Sequence, residues 1–93
     1  MNNNIALKSK NGWWKCGSTG ITYQWGTINR ATDQTNVDFP TLFSTACFNV
    51  QLTLASTNGS SQINIVAQSL STSGFTYQGY SAEKEAYWFA IGY

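Results

Sequence analysis

The chain has 93 residues, of which 42% are hydrophobic, 15% aromatic and only 10% charged, with a net charge of +1 and no histidine. This composition excludes a disordered chain, which is poor in aromatics and rich in charge, and more than one domain. It also excludes a phosphate-tracking surface, because Lys8, Lys10, Lys15, Arg30 and Lys84 are not clustered, and a membrane span, because no apolar run approaches ~20 residues.

Met1 to Asn11 has weak periodicity and three consecutive asparagines. It reads as a tail, or as the cut end of something longer, and lacks the basic-then-apolar order of a signal peptide. The folded part is expected from Gly12 to Tyr93. Gly12–Gly17 reads as a short first strand, Ser18-Thr19-Gly20 as a turn, and Ile21–Ile28 as a second strand with Ile21, Tyr23 and Trp25 on its inward face. The two form a plausible hairpin. Trp25 is expected in the core before a glycine bulge, with Gln24 paired to backbone. A ligand-stacking role for Trp25 is the alternative.

Asn29 to Asn36 is loop-like, and Val37-Asp38-Phe39 is a short strand ended by Pro40, which suits a strand end or edge. Leu42 and Phe43 are expected to be buried in the connection between this strand and the next. Cys47–Leu54 alternates cleanly, with Phe48, Val50, Leu52 and Leu54 inward and Asn49, Gln51 and Thr53 outward. Asn58-Gly59 signals a hairpin whose returning strand is Gln62–Gln68. After the polar loop Ser69–Gly74, Phe75–Tyr80 alternates again, and Ser81–Glu85 reads as an exposed turn. Ala86–Tyr93 is apolar on both faces and is expected as a central strand covered on both sides. In a chain this small, a symmetry mate is the simplest cover.

These short strands and regular turn signals, with no helical-period segment, predict an all-β fold, a small antiparallel β-sandwich. Cys16 and Cys47 are expected to be buried, unbridged thiols. Structural zinc needs four Cys or His ligands, so no metal or other cofactor is expected. Without histidine, Ser-His-Asp and Cys-His sites are impossible. The carboxylates are Asp33, Asp38, Glu83 and Glu85. Glu83 and Glu85 could share a strand face about 7 Å apart, within the span that glycoside hydrolysis needs, but they flank Lys84 in what reads as a solvated turn.

The segments NGWWKCGSTGITYQWG, VDFPTLFSTACFNVQLT, FTYQG and AYWFAIGY, in this order, resemble the C-terminal domain family of bacteriophage and prophage tail fibres. The resemblance covers Gly12 to Tyr93. It implies a homotrimeric β-sandwich tip at the distal end of a fibre on the virion, made in the host cytoplasm. The tip would be attached to the remainder of the fibre and in contact with a bacterial surface polysaccharide, such as lipopolysaccharide, or an outer-membrane receptor. A fibre shaft would precede such a tip, and only about a dozen residues do so here. The resemblance supplies no catalytic residue.

Trp13 and Trp14 fall on opposite faces of one strand, so one is expected in the core and the other against a neighbouring subunit or a sugar. Loops on a rigid scaffold commonly carry binding, and Asn58, Ser60, Ser73 and Tyr80 are the loop residues expected to contact a ligand. The sequence leaves three functions in play: a receptor-binding module, a structural clip that trimerises the fibre, and a glycan hydrolase.

Overall fold

The computed structural model describes residues 4–57, 64–80 and 82–93. Its regular structure consists of the strands β1 (Ile5–Leu7), β2 (Gly12–Lys15), β3 (Thr22–Asn29), β4 (Gln34–Asp38), β5 (Cys47–Ser56), β6 (Val66–Gln68), β7 (Gly74–Gln78) and β8 (Glu85–Gly92). They form a five-stranded sheet in the order β1-β2-β3-β8-β5 and a three-stranded sheet in the order β4-β7-β6, with every pairing antiparallel. This is the two-sheet all-β fold expected from the alternation of the sequence.

The β2–β3 hairpin is closed by a turn in which Gly20 N–H donates to the Cys16 carbonyl at 2.9 Å and Cys16 N–H to the Ile21 carbonyl at 2.9 Å. Gly20 sits there at φ +79°, a left-handed conformation in which a Cβ is strained. β8, apolar on both faces, is central as expected, hydrogen-bonded to β3 on one side and β5 on the other. Ile5–Leu7, within the segment read as a tail, adds an edge strand to β2.

The partner of β5 differs from the sequence expectation. Asn58-Gly59 and the start of the expected return strand lie outside the described residues. The end of that segment, β6, joins the other sheet beside β7, while β5 pairs along β8 from Cys47 to Ser56. The reason is ladder length. β8 offers eight residues with an apolar inner face, whereas β6 has three.

The facing of β3 is also inverted. Thr22, Gln24, Gly26 and Ile28 are buried, while Ile21 and Tyr23 are exposed and Trp25 is half-buried on the outer side. Gln24 decides this parity. Its amide is fully buried, donates from Nε2 to the Thr41 carbonyl at 2.9 Å and accepts from the Thr41 N–H at 3.1 Å. This clasp holds the crossover after Pro40 against the sheet, and Gln24 is paired to backbone as expected. Gly26 has the second decisive role. A Cβ there would collide with Asn11 Oδ1 and approach Trp88 Nε1 to 2.6 Å, so the absent side chain makes room for the indole. Trp25 is therefore not a core residue. Its Nε1 donates to the Ser9 carbonyl at 2.9 Å.

A bulge between Cys47 and Asn49 turns Phe48 outward, where it is 57% exposed and packs on Tyr93. Val50, Leu52 and Leu54 remain half-buried toward the core. Leu42 is exposed, and Phe43 takes the buried place in that connection.

The core between the sheets consists of Ile28, Phe39, Phe43, Phe75, Tyr77, Ala86, Trp88 and Ala90. Phe39 is its hub, with ring centroids 5.0 Å from Phe43, 5.4 Å from Trp88 and 5.8 Å from Phe75. Such edge and tilted aromatic pairs add about 0.5–1.5 kcal/mol each beyond the area they bury. Tyr77 is fully buried and its hydroxyl donates to the Glu83 carbonyl at 3.0 Å. Glu83, expected in a solvated turn, is itself buried, and its Oε1 accepts from Tyr80 N–H at 3.1 Å. It folds back to close the β7–β8 connection, so Glu83 and Glu85 are not a solvent-facing pair. The inner face of β8 is covered from within the chain by Phe39, Phe43, Phe75 and Tyr77, and just beyond it Tyr93 N–H donates to the Ala46 carbonyl at 3.0 Å while the Tyr93 carbonyl accepts from Thr45 and Ala46.

Candidate functional site

Alternation along β2, β3 and β8 sends Trp14, Tyr23, Trp25, Tyr87 and Phe89 to the outer face of the five-stranded sheet, away from the three-stranded one. Register brings them together. Trp14 lies across from Tyr23, and Trp25 across from Phe89. Trp14 stacks on Tyr23 with centroids 5.4 Å apart, and Tyr23 meets Phe89 diagonally at 5.7 Å. Tyr87 is 56% and Phe89 44% exposed. Of the other positions on this face, Thr27, Asn49, Gln51, Thr53 and Ile91 carry no charge, and Glu85, at the start of β8, carries one. Contiguous exposed aromatic patches are a common feature of docking surfaces.

The residues selected from the sequence do not form one site. Trp14 belongs to the aromatic stripe. Trp13 lies on the opposite side of β2 and is half-buried there, so neither tryptophan is in the core. Ser73 is exposed in the turn before β7, where Ser71 Oγ accepts from the Ser73 and Gly74 amides at 3.3 and 3.2 Å. Tyr80 is half-buried beyond the far end of β7, its hydroxyl accepting from Gln78 Nε2 at 3.1 Å. A seven-residue strand-like separation places Ser73 and Tyr80 roughly 20 Å apart. Asn58 and Ser60 lie outside the described residues.

Two clefts that were not singled out in the sequence flank β4. One, about 210 Å³, is lined by Asn36, Asp38, Ser69, Ser71, Ser73 and Thr76 among others, and thus contains one selected residue. The other, about 260 Å³, lies between β4 and β3 and is lined by Asn11, Thr27, Asn29, Thr35, Asn36, Asp38 and, at its base, Trp88. Asn11 reaches it because β2 ends at Gly12. Beyond that point Asn11 Oδ1 replaces the missing strand by accepting from Thr27 N–H at 3.0 Å. The signal available in the sequence was the spacing of Asn36 and Asp38, two apart on a strand and so on one face.

Both cysteines are free and half-buried rather than fully buried. Lys15, next to Cys16, aligns through Thr22 and Gly92 with Cys47, three strand spacings away. That is about 14 Å, well beyond the ~7 Å limit for bridging within one chain. The Cys16 thiol lies in the hairpin turn, where hydrogen bonds from Ser18 and then Thr19 lower its pKa to about 6. Burial raises that of Cys47.

The family described as "Putative tail fiber protein gp53-like, C-terminal" matches residues 15–93. The chain belongs to this family. Its fold recurs in an R2 pyocin fibre of P. aeruginosa, with a TM-score of 0.85 and 23% identity over 98% of this chain and 26% of that one. An R1 pyocin fibre of P. aeruginosa matches with a TM-score of 0.78 and 26% identity, over 98% of this chain and 28% of that one. An N-truncated R1-type pyocin tail fibre matches with a TM-score of 0.75 and 25% identity, over 98% of this chain and 86% of that one. No curated protein sequence matches. The domain spans about a quarter of the longer pyocin chains and is of the tail-fibre C-terminal family. These relatives are named as tail-fibre proteins.

Proposed function

We propose that this domain is the receptor-binding tip of its fibre, a homotrimer held together through the aromatic stripe and attached to a bacterial surface glycan or an outer-membrane receptor. The observation that carries this reading is the exposed Trp14–Tyr23–Phe89 stripe on a domain too small to cover it. Three copies meeting on that face remove it from water and place three identical sets of loops and clefts around one axis. With so few charges, adhesion rests on short-range hydrogen bonds and stacking, each modest. Repetition around the axis and among fibres supplies strength by multivalency. A distal position on the virion follows from this role.

The stripe supports a second reading equally well, in which the domain is a trimerisation clip that lets the fibre fold. One set of measurements separates the two. Light scattering is expected to give three times the chain mass at micromolar concentration, and the trimer is expected to adhere to bacterial cells with little loss between low and high salt. A trimer that adheres to no cell leaves the clip reading standing, and a well-folded monomer removes both.

A further inference from the structure

The cleft between β3 and β4 has an unusual base. Trp88 is 3% exposed, packed among Phe39 and Phe75, yet its indole N–H has no hydrogen-bond acceptor among the described residues. Since no enclosed side-chain nitrogen or oxygen among those residues lacks a partner, this N–H must reach open space, and the opening that Trp88 borders is the cleft. A donor at the rim of an aromatic core that reaches open space is met by water, which a ligand acceptor can replace. Around it stand Asn11, whose Oδ1 is engaged by Thr27 while its amide N–H₂ remains available, and Asn29 and Asp38, both exposed and without side-chain partners among the described residues.

We propose that this cleft is a saccharide subsite, taking one neutral sugar residue that presents vicinal hydroxyls. The inference rests on the receptor-binding reading above and gives it a location. A hydroxyl both donates and accepts. Neighbouring hydroxyls are therefore matched by a carboxylate that only accepts (Asp38), an indole N–H that only donates (Trp88), and amides that do both (Asn11 and Asn29). Among the described residues Asp38 is the only charged side chain lining the cleft, which disfavours phosphate, sulfate and uronate groups. At about 260 Å³ the cleft falls below the ~300–1,000 Å³ of drug-sized pockets and suits a single ring. Trp88 points inward where its neighbour Phe89 points outward, so assembly through the aromatic stripe leaves the cleft open.

The test is titration of the ¹⁵N-labelled protein with a panel of delipidated bacterial surface polysaccharides, followed through its four tryptophan indole N–H signals, with cell adherence measured in parallel. The Trp88 signal is identified by its loss in Trp88→Phe. A polysaccharide of neutral sugars is expected to shift it, and Asp38→Ala and Asn29→Ala are expected to weaken binding at least tenfold with unchanged melting. If Trp88→Phe fails to fold, these two rim variants decide the matter alone. Polysaccharide binding that leaves Trp88 unmoved and both rim variants at parental affinity overturns the subsite while the receptor reading survives. So does a Trp88 N–H already sealed from solvent exchange in the free trimer, which would show that a neighbouring copy fills the cleft. A protein that adheres to no cell and binds no polysaccharide overturns both.

Discussion

The inner face of the five-stranded sheet buries Thr22, Gln24, Gly26, Ile28, Ala86, Trp88 and Ala90, whereas its outer face carries Tyr23, Trp25, Tyr87 and Phe89. Within β3 and β8 the covered side is thus built largely from small or polar residues beside Ile28 and one large indole, and the uncovered side carries the large aromatic ones. The difference lies in what each side faces. The inner side receives Phe39, Phe43, Phe75 and Tyr77 from the crossover and the second sheet, so its own residues must be small enough to admit those rings, or able to clasp the crossover as Gln24 does. Among the described residues the outer side receives the Ser9 carbonyl at Trp25, while Tyr87 and Phe89 stay exposed. Side-chain size therefore indicates burial only once it is known which surface supplies the filling.

Emptying the inner side should do the most damage. Phe75→Ala removes a ring that touches both Phe39 and Trp88, and it is expected to cost about 3–5 kcal/mol in chemical denaturation. Against a domain total of ~5–15 kcal/mol, folding itself is at risk. A loss below about 1 kcal/mol would mean that the two sheets are not held by this cluster. On the outer side, Phe89→Asp is expected to leave the monomer fold intact while weakening association by about 2–4 kcal/mol, as for a central interface aromatic. Sedimentation is then expected to show monomers where the parent is expected to sediment as a trimer. If Phe89→Asp unfolds the chain and leaves no soluble monomer, the two faces are not independent and the contrast between them fails.

A milder substitution probes the polar residue inside. Gln24→Leu keeps the volume but leaves the Thr41 amide and carbonyl without their partners, an expected loss of about 1–3 kcal/mol in urea unfolding. Parental stability would show that the Thr41 crossover is held by Phe39 and Phe43 alone. The thiols offer the mildest probe, since neither need be replaced. Because the Cys16 pKa is lowered to about 6, its reactive thiolate predominates above that pH and falls away below it. Alkylation of Cys16 is expected to rise through pH 6 and level off about one unit higher. Cys47, whose pKa is raised by burial, is expected to react slowly throughout that range. Equal rates for the two at neutral pH would contradict the turn geometry around Cys16.

Particular residues show how far the sequence could be read. Period-two alternation with turns at Gly20 and Ser69–Gly74 was enough to predict an antiparallel all-β domain, and β8 was recognisable as central because both of its faces are apolar. The facing of β3 was not legible. Ile21, Tyr23 and Trp25 present the more apolar side, and only the position of Thr41, brought back across the sheet, makes burial of Gln24 favourable. Phe48 was misplaced because a bulge adds a residue without changing the pattern of side chains. The clefts along β4 were invisible for a related reason: Asn11, Asn29, Asp38 and Trp88 are far apart in the chain and meet only when β2 stops one residue short of Asn11.

The class of structure and the family could both be read from the amino acids unaided, since they depend on local alternation and on ordered motifs. The inward face of β3, the strand that pairs with β5, the burial of Glu83 and the opening beneath Trp88 emerged only with the folded chain. Each of these is settled by contacts between segments distant in the chain. In a two-sided strand, local pattern is nearly neutral between the two facings, and the choice falls to whichever arrangement satisfies the buried amides and fills the space between the sheets.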